Sequence, residues 1–216
     1  MSKKEIINQV KEYVKKQLRN EPTGHDWWHA QRVWKLSKKI AKEEGGNLFI
    51  IEIAALLHDI SDWKFNNGNT TKGIKKIKSL LKGLEVDKED IKLICDIVGN
   101  IYFKGAKVKS KVKIKEARIV QDADRLDALG AIGIARTFAY GGFIKREIYN
   151  PGTKVKLHKS VDEYRKAKST SINHFHEKLL LIKDRLNTKT AKSIAKERHE
   201  FLKIYLRHFL KEWKTR

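Results

Sequence analysis

Sulfur, proline and acidic charge are all scarce in this chain. One cysteine, Cys95, stands among 216 residues, so no disulfide can close within the chain and no thiolate zinc cluster can be built from it. Such usage fits a reducing compartment, and the expected location is cytoplasmic. With only two prolines and 13 glycines, the composition is neither collagen-like nor that of a Pro/Gly-rich disordered segment. No apolar run approaches the roughly 20 residues needed to cross a bilayer. The amphipathic start, MSKKEIINQVKEYVKKQ, lacks the continuous apolar stretch of a secretory signal. Neither export nor a membrane partner is expected.

The shortage of acids gives the largest anomaly. Against 48 Lys and Arg there are 26 Asp and Glu, a net charge of +22, and a field of that sign attracts phosphates. Nucleic acid is one partner compatible with it, but not the favoured one. The bases are 37 Lys and only 11 Arg, spread along almost every expected helix. Nucleic-acid modules usually gather Arg and aromatic rings on one surface. A nucleotide or another small phosphorylated molecule is the favoured partner. The densest basic stretch is 104–115, KGAKVKSKVKIK, where six Lys alternate with small or apolar residues. It reads as a solvated loop or extended edge, and secondly as a mouth that draws anionic ligands inward.

Elsewhere apolar residues recur at helical spacing, and the fold class expected is an all-α, single-domain helical bundle over residues 1–216. The first helix covers about 3–19, with Ile6, Val10, Val14 and Leu18 on one stripe, and stops at Glu21-Pro22-Thr23-Gly24. A second runs over 26–44 and ends at Gly45-Gly46. A third, capped by Asn47, carries Ile51, Ala54, Ala55 and His58 on one face. A polar loop at 61–69 precedes helices near 70–82 and 87–101. The stretch 116–139 is expected to be one helix despite Gly130 and Gly133, each costing about 1 kcal/mol relative to Ala, with another helix packed close against them. Residues 140–167, with a Gly pair and Pro151-Gly152, read as a mobile excursion. Helices over 168–186 and 189–213 close the chain, with Phe175, Leu179 and Ile182, then Ile194, Phe201, Tyr205 and Phe209, on their apolar faces.

Three separated segments place histidine and aspartate on inward faces. In GHDWWHAQRV, His25 and His29 are one turn apart, and His29 continues the stripe of Val33, Leu36 and Ile40. In AALLHDISD, His58 and Asp59 follow an apolar run, with Asp62 one turn beyond His58. In QDADRLDALG, Asp122, Asp124 and Asp127 interrupt an apolar helix. A buried carboxylate without a partner costs several kcal/mol or takes up a proton, and a divalent metal satisfies all of these acids together. Imidazole nitrogen with carboxylate oxygen suits Mn, Fe, Zn, Co or Ni, whereas all-oxygen sites suit Mg or Ca. Adjacent residues such as His58 and Asp59 reach one ion only at a helix end or kink.

The order His, then HD, then a distant Asp resembles the HD-domain metal-dependent phosphohydrolases. The strings HDWWHAQRV, AALLHDISD, QDADRLDALGAIGIARTFAYGG and HFHEKLLLIKDRLNT extend that resemblance over about residues 20–210. They are similar to a bacterial and archaeal subgroup, some members of which resemble nucleoside triphosphate pyrophosphohydrolases. The resemblance implies an enzyme with His29, His58, Asp59 and Asp124 as metal ligands. It implies that His25 contacts phosphate or the ion's water, and that Asp62 orients or deprotonates the attacking water. Lys64, Arg125 and Arg136 are candidate phosphate clamps. Asp127 binds substrate or, as the preferred role, holds Arg125. His174 and Lys178 are candidates to line the pocket, and His176 has weaker support. The cofactor implied is one divalent ion per chain, Mn first, with Fe, Ni, Co, Zn or Mg as alternatives. No histidine lies between His58 and His158, so the second metal of some relatives is not expected. His158, His199 and His208 carry no site signal.

The expected activity is hydrolysis of a nucleoside triphosphate to monophosphate and pyrophosphate. The alternatives are a nucleotide phosphomonoesterase, a guanosine tetraphosphate hydrolase suggested by HDISD, and a nucleic-acid-binding or regulatory protein with a structural HD pocket. Exposed faces of the last helix leave room for a homodimer.

Overall fold

A computed structural model describes residues 1–61, 70–103, 106–108, 112–160, 162–163 and 167–215. Among these residues the ordered elements are helical and there is no β-strand. None of the helices is long and apolar enough to cross a membrane. The chain forms two compact units: Met1–Glu21, His25–Tyr102 and Lys111–Ala123 in the first, and Pro22–Gly24, Phe103–Ser110 and Asp124–Arg216 in the second.

The first unit is organised by a helix with no polar face. Its α1 (Lys3–Gln17) begins with a capping box in which Ser2 and Glu5 satisfy each other's backbone amides. After it come α2 (Trp27–Glu44), α3 (Leu48–Leu57), α4 (Thr70–Gly83) and α5 (Lys88–Asn100). All residues of α3 from Phe49 to Leu57 are buried, because α1, α2 and α5 all pack on it. A helix that is apolar all round belongs in a core. Each fully buried Ile or Leu there contributes about 1.5–3 kcal/mol. The one acid in that run, Glu52, is 5% exposed and is paired with Lys38 at 3.0 Å. Asn47 caps α3 as expected, its side chain accepting from the Ile50 amide. Leu57 hands over to a 3₁₀ turn, His58–Ser61, against which α4 and α5 both pack.

In the second unit the expected single helix over 116–139 is two. Helix α6 (Lys115–Asp127), which starts in the first unit, stops, and α7 (Gly130–Phe143) starts after Ala128-Leu129. Gly130 takes φ +71°, a left-handed conformation that breaks the helix and that side chains resist. The close neighbour expected at Gly130 is present: a Cβ there would lie 3.2 Å from Cγ of Arg198, on α9 (Lys189–Trp213). At Gly133 the crowding comes instead from the backbone, with Ala128 O only 2.2 Å from such a Cβ.

The expected helix over 168–186 begins later and is irregular. Helix α8 is composed of α, π, α and 3₁₀ turns in succession, Ser171–His174, Phe175–Leu179, Leu180–Ile182 and Lys183–Arg185. The stretch after α7 is strapped to it. Ser171 N–H and Ile172 N–H donate to the carbonyls of Glu147 and Ile148 at 2.9 and 3.0 Å, and Asn173 Nδ2 donates to Thr153 O at 2.8 Å. Glu177, 3% exposed, accepts from Ser169 Oγ at 2.8 Å and Lys156 N–H at 3.3 Å. Phe175, Leu179 and Ile182 face the core as expected. On α9 the inward stripe is Ala191, Ala195, His199, Leu202 and Leu206, and Phe201, expected inside, is 46% exposed. Tyr205 stacks on Phe175 at 5.7 Å and meets Phe138 of α7 at 6.0 Å. The aromatic contacts thus join three helices.

Gly133→Ala is expected to cost about 2 kcal/mol or more, because a backbone carbonyl would have to move. Gly130→Ala, strained by its φ, is expected to cost about 1–3 kcal/mol. Gly83→Ala, where nothing lies within 4 Å, should be neutral within about 0.5 kcal/mol. Urea denaturation of the three variants checks the ranking, and equal midpoints for all of them would contradict it.

Candidate metal centre

Two helix ends bring the chemistry of the first unit together. Asp26 caps α2, its Oδ1 accepting from the His29 amide at 2.8 Å. His29 therefore sits in the first turn and is fully buried. His25 lies just before the cap with its side chain 20% exposed. On the facing element, α3 tightens into the 3₁₀ turn at His58. The tighter pitch lets two successive side chains point to one place, and His58 Nε2 lies 3.4 Å from Asp59 Oδ1. Tyr102 holds the turn from outside, donating from its hydroxyl to His58 O at 2.9 Å. No pattern in the sequence singled out Tyr102.

A backbone acceptor orients the His58 ring. His58 Nδ1 is 2.7 Å from Ala55 O, a carbonyl that can only accept, so Nδ1 carries a hydrogen and Nε2 is the ring nitrogen turned toward the centre. That Nε2 is 3.0 Å from Nε2 of His29. Asp59 Oδ2 lies 3.0 Å from His25 Nδ1 and 3.3 Å from His29 Nε2. One carboxylate, 2% exposed, is thus ringed by three imidazoles. Burial pushes its pKa up, but the charges of His58 and His25 and hydrogen bonds from His25 and His29 outweigh this and hold it well below the usual carboxylate range. Asp59 is ionised at neutral pH.

This donor set fits a divalent transition ion. It supplies an anionic oxygen, lone-pair nitrogens and a ring oriented by a backbone acceptor, the mixed N/O chemistry that Mn, Fe, Co, Ni and Zn take. His25, His29 and Asp59 each offer a donor atom, all within 4.8 Å of one another. The structure therefore brings His25 into the ligand neighbourhood, beyond the substrate-side role that the sequence suggested.

The remaining sequence-derived candidates are placed as follows. Asp62 and Lys64 lie outside the described residues. Asp122, on α6 in the first unit, is fully buried one residue from Gln121, which donates to Ile101 O at 3.1 Å. Asp124 opens the second unit, half-buried on α6. Asp127, 1% exposed, accepts from Arg136 Nη1 at 3.2 Å, so the arginine it holds is Arg136. Arg136 also donates from Nε to Gly24 O at 2.7 Å, and Gly24, at φ +78°, leaves room for that side chain. Arg125 is buried and donates from Nη1 to Arg185 O. His174 and Lys178 are half-buried on α8, and His176 is exposed. Lys178 Nζ stands 5.3 Å from the centroid of Phe103. His158 and His199, without a site signal in sequence, are buried at 1% and 8% exposure.

Known proteins resemble this chain in sequence and in fold. The HD domain family model matches residues 27–129. The uncharacterized protein YpgQ of Bacillus subtilis strain 168 is 35% identical over 206 residues, covering 94% of this chain and 92% of its own. A crystal structure of YpgQ in complex with ADP matches with a TM-score of 0.75 over 95% of this chain and 97% of that one. A Lactobacillus plantarum protein superposes with a TM-score of 0.90 at 33% identity over the whole of both chains. A Bacillus thuringiensis HD-superfamily hydrolase does so at 0.75 and 41% identity, again over both whole chains. The chain belongs to the HD domain family of metal-dependent phosphohydrolases.

Proposed function

We propose that this protein is a cytoplasmic nucleotide phosphohydrolase that converts a nucleoside triphosphate to its monophosphate and pyrophosphate. One divalent ion, Mn first among the alternatives, is held by His29, His58, Asp59 and Asp124. The observation that carries the reading is the buried, ionised Asp59 among three imidazoles, two of which approach nitrogen to nitrogen at 3.0 Å. Asp124 is added by the family pattern. The ADP bound by YpgQ supports a nucleotide substrate.

When bound, such an ion supplies a Lewis acid that polarises a phosphoryl oxygen and makes water a better nucleophile near neutral pH. The protein's own groups do the rest. Ala55 O fixes the tautomer of His58. His58, His25 and His29 keep Asp59 ionised, and the partly exposed His25 ring passes a proton to solvent. Asp62 orients the attacking water, following the family pattern. Arg125 and Arg136 are placed to stiffen the scaffold through backbone carbonyls, with Asp127 anchoring Arg136. Lys64, His174 and Lys178 remain the candidates to meet substrate directly.

A product assay over a nucleotide panel with Mn tests the regiochemistry. Pyrophosphate together with nucleoside monophosphate is the expected outcome, and orthophosphate without pyrophosphate would contradict it. His25→Ala is expected to lower kcat/KM by about 10–100-fold, the usual cost of losing a group that orients metal-bound ligands. An unchanged kcat/KM would remove His25 from the mechanism.

A further inference from the structure

The first unit carries a cleft of about 690 Å³ between the C-terminal end of α1 and the first turn of α2. Every residue that lines it belongs to this unit, and none of them is a donor of the metal centre. Pockets for small molecules span roughly 300–1,000 Å³, so the cleft has room for one molecule the size of a nucleotide. Leu18, 4% exposed, adds an apolar surface to it.

Two features of the lining point to a ligand. One is an open aromatic face: Trp28 is 60% exposed and makes no ring contact among the described residues, and Trp27 beside it is half-buried. An indole stacks readily on another flat ring. The other feature is uncommitted charge. Lys15, Lys16 and Arg19 line the cleft, and none of them enters an ion pair among the described residues. Three acids line it too, so the formal charges balance, but the acids are not equally available. Asp26 Oδ1 accepts from the His29 amide, and Glu21 has a partner of its own. Glu12 alone stands against the three bases. Lys15 and Lys16 lie one turn from it, at the spacing that favours pairing, and still form no ion pair with it.

We propose that this cleft is a second nucleotide site, separate from the metal centre, in which the base of a free mononucleotide lies on Trp28 and its phosphate meets Lys15, Lys16 and Arg19. The Arg19 guanidinium offers a planar fork for two phosphate oxygens, and the lysines add point charges. Glu12 accepts from an exocyclic amine of the base. The field of a chain of net charge +22 favours the entry of such an anion. Single-stranded nucleic acid needs a basic groove that follows several phosphates in succession, whereas this cleft gathers its three bases within five residues, Lys15 to Arg19. Occupancy of the cleft requires neither the metal ion nor the hydrolytic activity.

Calorimetric titration of the full-length protein with AMP tests it, with His58→Ala as the parent so that binding at the metal centre is weakened. Trp28→Ala and Lys15→Gln/Arg19→Gln are then added to that parent. All three cleft positions are exposed, so these substitutions are expected to leave the helical circular dichroism unchanged. AMP should bind the parent, and each cleft variant should bind it about tenfold or more weakly, as for loss of a base stack or of charged hydrogen bonds. Adenosine should lose affinity in Trp28→Ala and not in Lys15→Gln/Arg19→Gln. If His58→Ala fails to fold, tryptophan fluorescence of the Mn-supplemented wild type decides instead: AMP should quench it, and Trp28→Phe should remove most of the quenching. Affinities within about twofold of the parent in both cleft variants, a folded parent that does not bind AMP, or quenching that survives Trp28→Phe would overturn the proposal. So would a single-stranded oligonucleotide whose binding depends on Trp28 when that of AMP does not.

Discussion

A carboxylate that is almost wholly buried and yet ionised is the constraint around which the first unit is arranged. Left alone, Asp59 would be neutralised by its own burial. His25, His29 and His58 reverse that, at distances of 3.0, 3.3 and 3.4 Å. The contact of His58 Nδ1 with Ala55 O turns its Nε2 toward Nε2 of His29, 3.0 Å away. A cation between these donors satisfies the anion and both nitrogens at once. The centre is thus acidic and nucleophilic within a chain of net charge +22, and the basic surface acts as a background field for phosphates.

The rest of the first unit serves to hold that constraint still. Helix α3 is buried on every side, so its C-terminal end, where His58 and Asp59 emerge, cannot shift without disturbing the whole core. Asp26 caps α2 and fixes the start of the helix that carries His29, while Tyr102 ties down the 3₁₀ turn. Sites supported by rigid elements keep ligand geometry within narrow limits. In the second unit half-buried arginines have a similar task, with Arg136 bridging Gly24 and Asp127 and Arg198 donating to Leu126 O.

Much of this was legible in the sequence, and the exceptions have physical reasons. Periodicity located α1 to α5 and α9, and the caps at Asp26 and Asn47 fall where their residue types imply. His29, His58 and Asp59 could be singled out because His29 continues an apolar stripe, His58 and Asp59 follow an apolar run, and the order of the three resembles the HD-domain pattern. The break between α6 and α7 was hidden, because the apolar pattern continues through Gly130 and only its positive φ reveals that the axis stops. The π turn in α8 leaves no periodic trace. Phe201 was assigned to the core by spacing, yet the inward stripe of α9 is Ala191, Ala195, His199, Leu202 and Leu206, and Phe201 lies off it. The contribution of Tyr102 depends on a contact across 44 residues, which no local pattern encodes. Arg125 and Arg136 were expected to face phosphate; the backbone carbonyls they hold belong to residues distant in sequence.

The proposed chemistry depends on a metal ion at Asp59. Its most direct test is the metal content of purified protein after growth or dialysis with Mn, measured by mass spectrometry beside the His58→Ala and Asp124→Ala variants. The prediction is about one divalent ion per wild-type chain and a sharp loss in both variants while their helical circular dichroism is retained. A wild type that stays empty of divalent metal, or variants that keep a full complement, would contradict it.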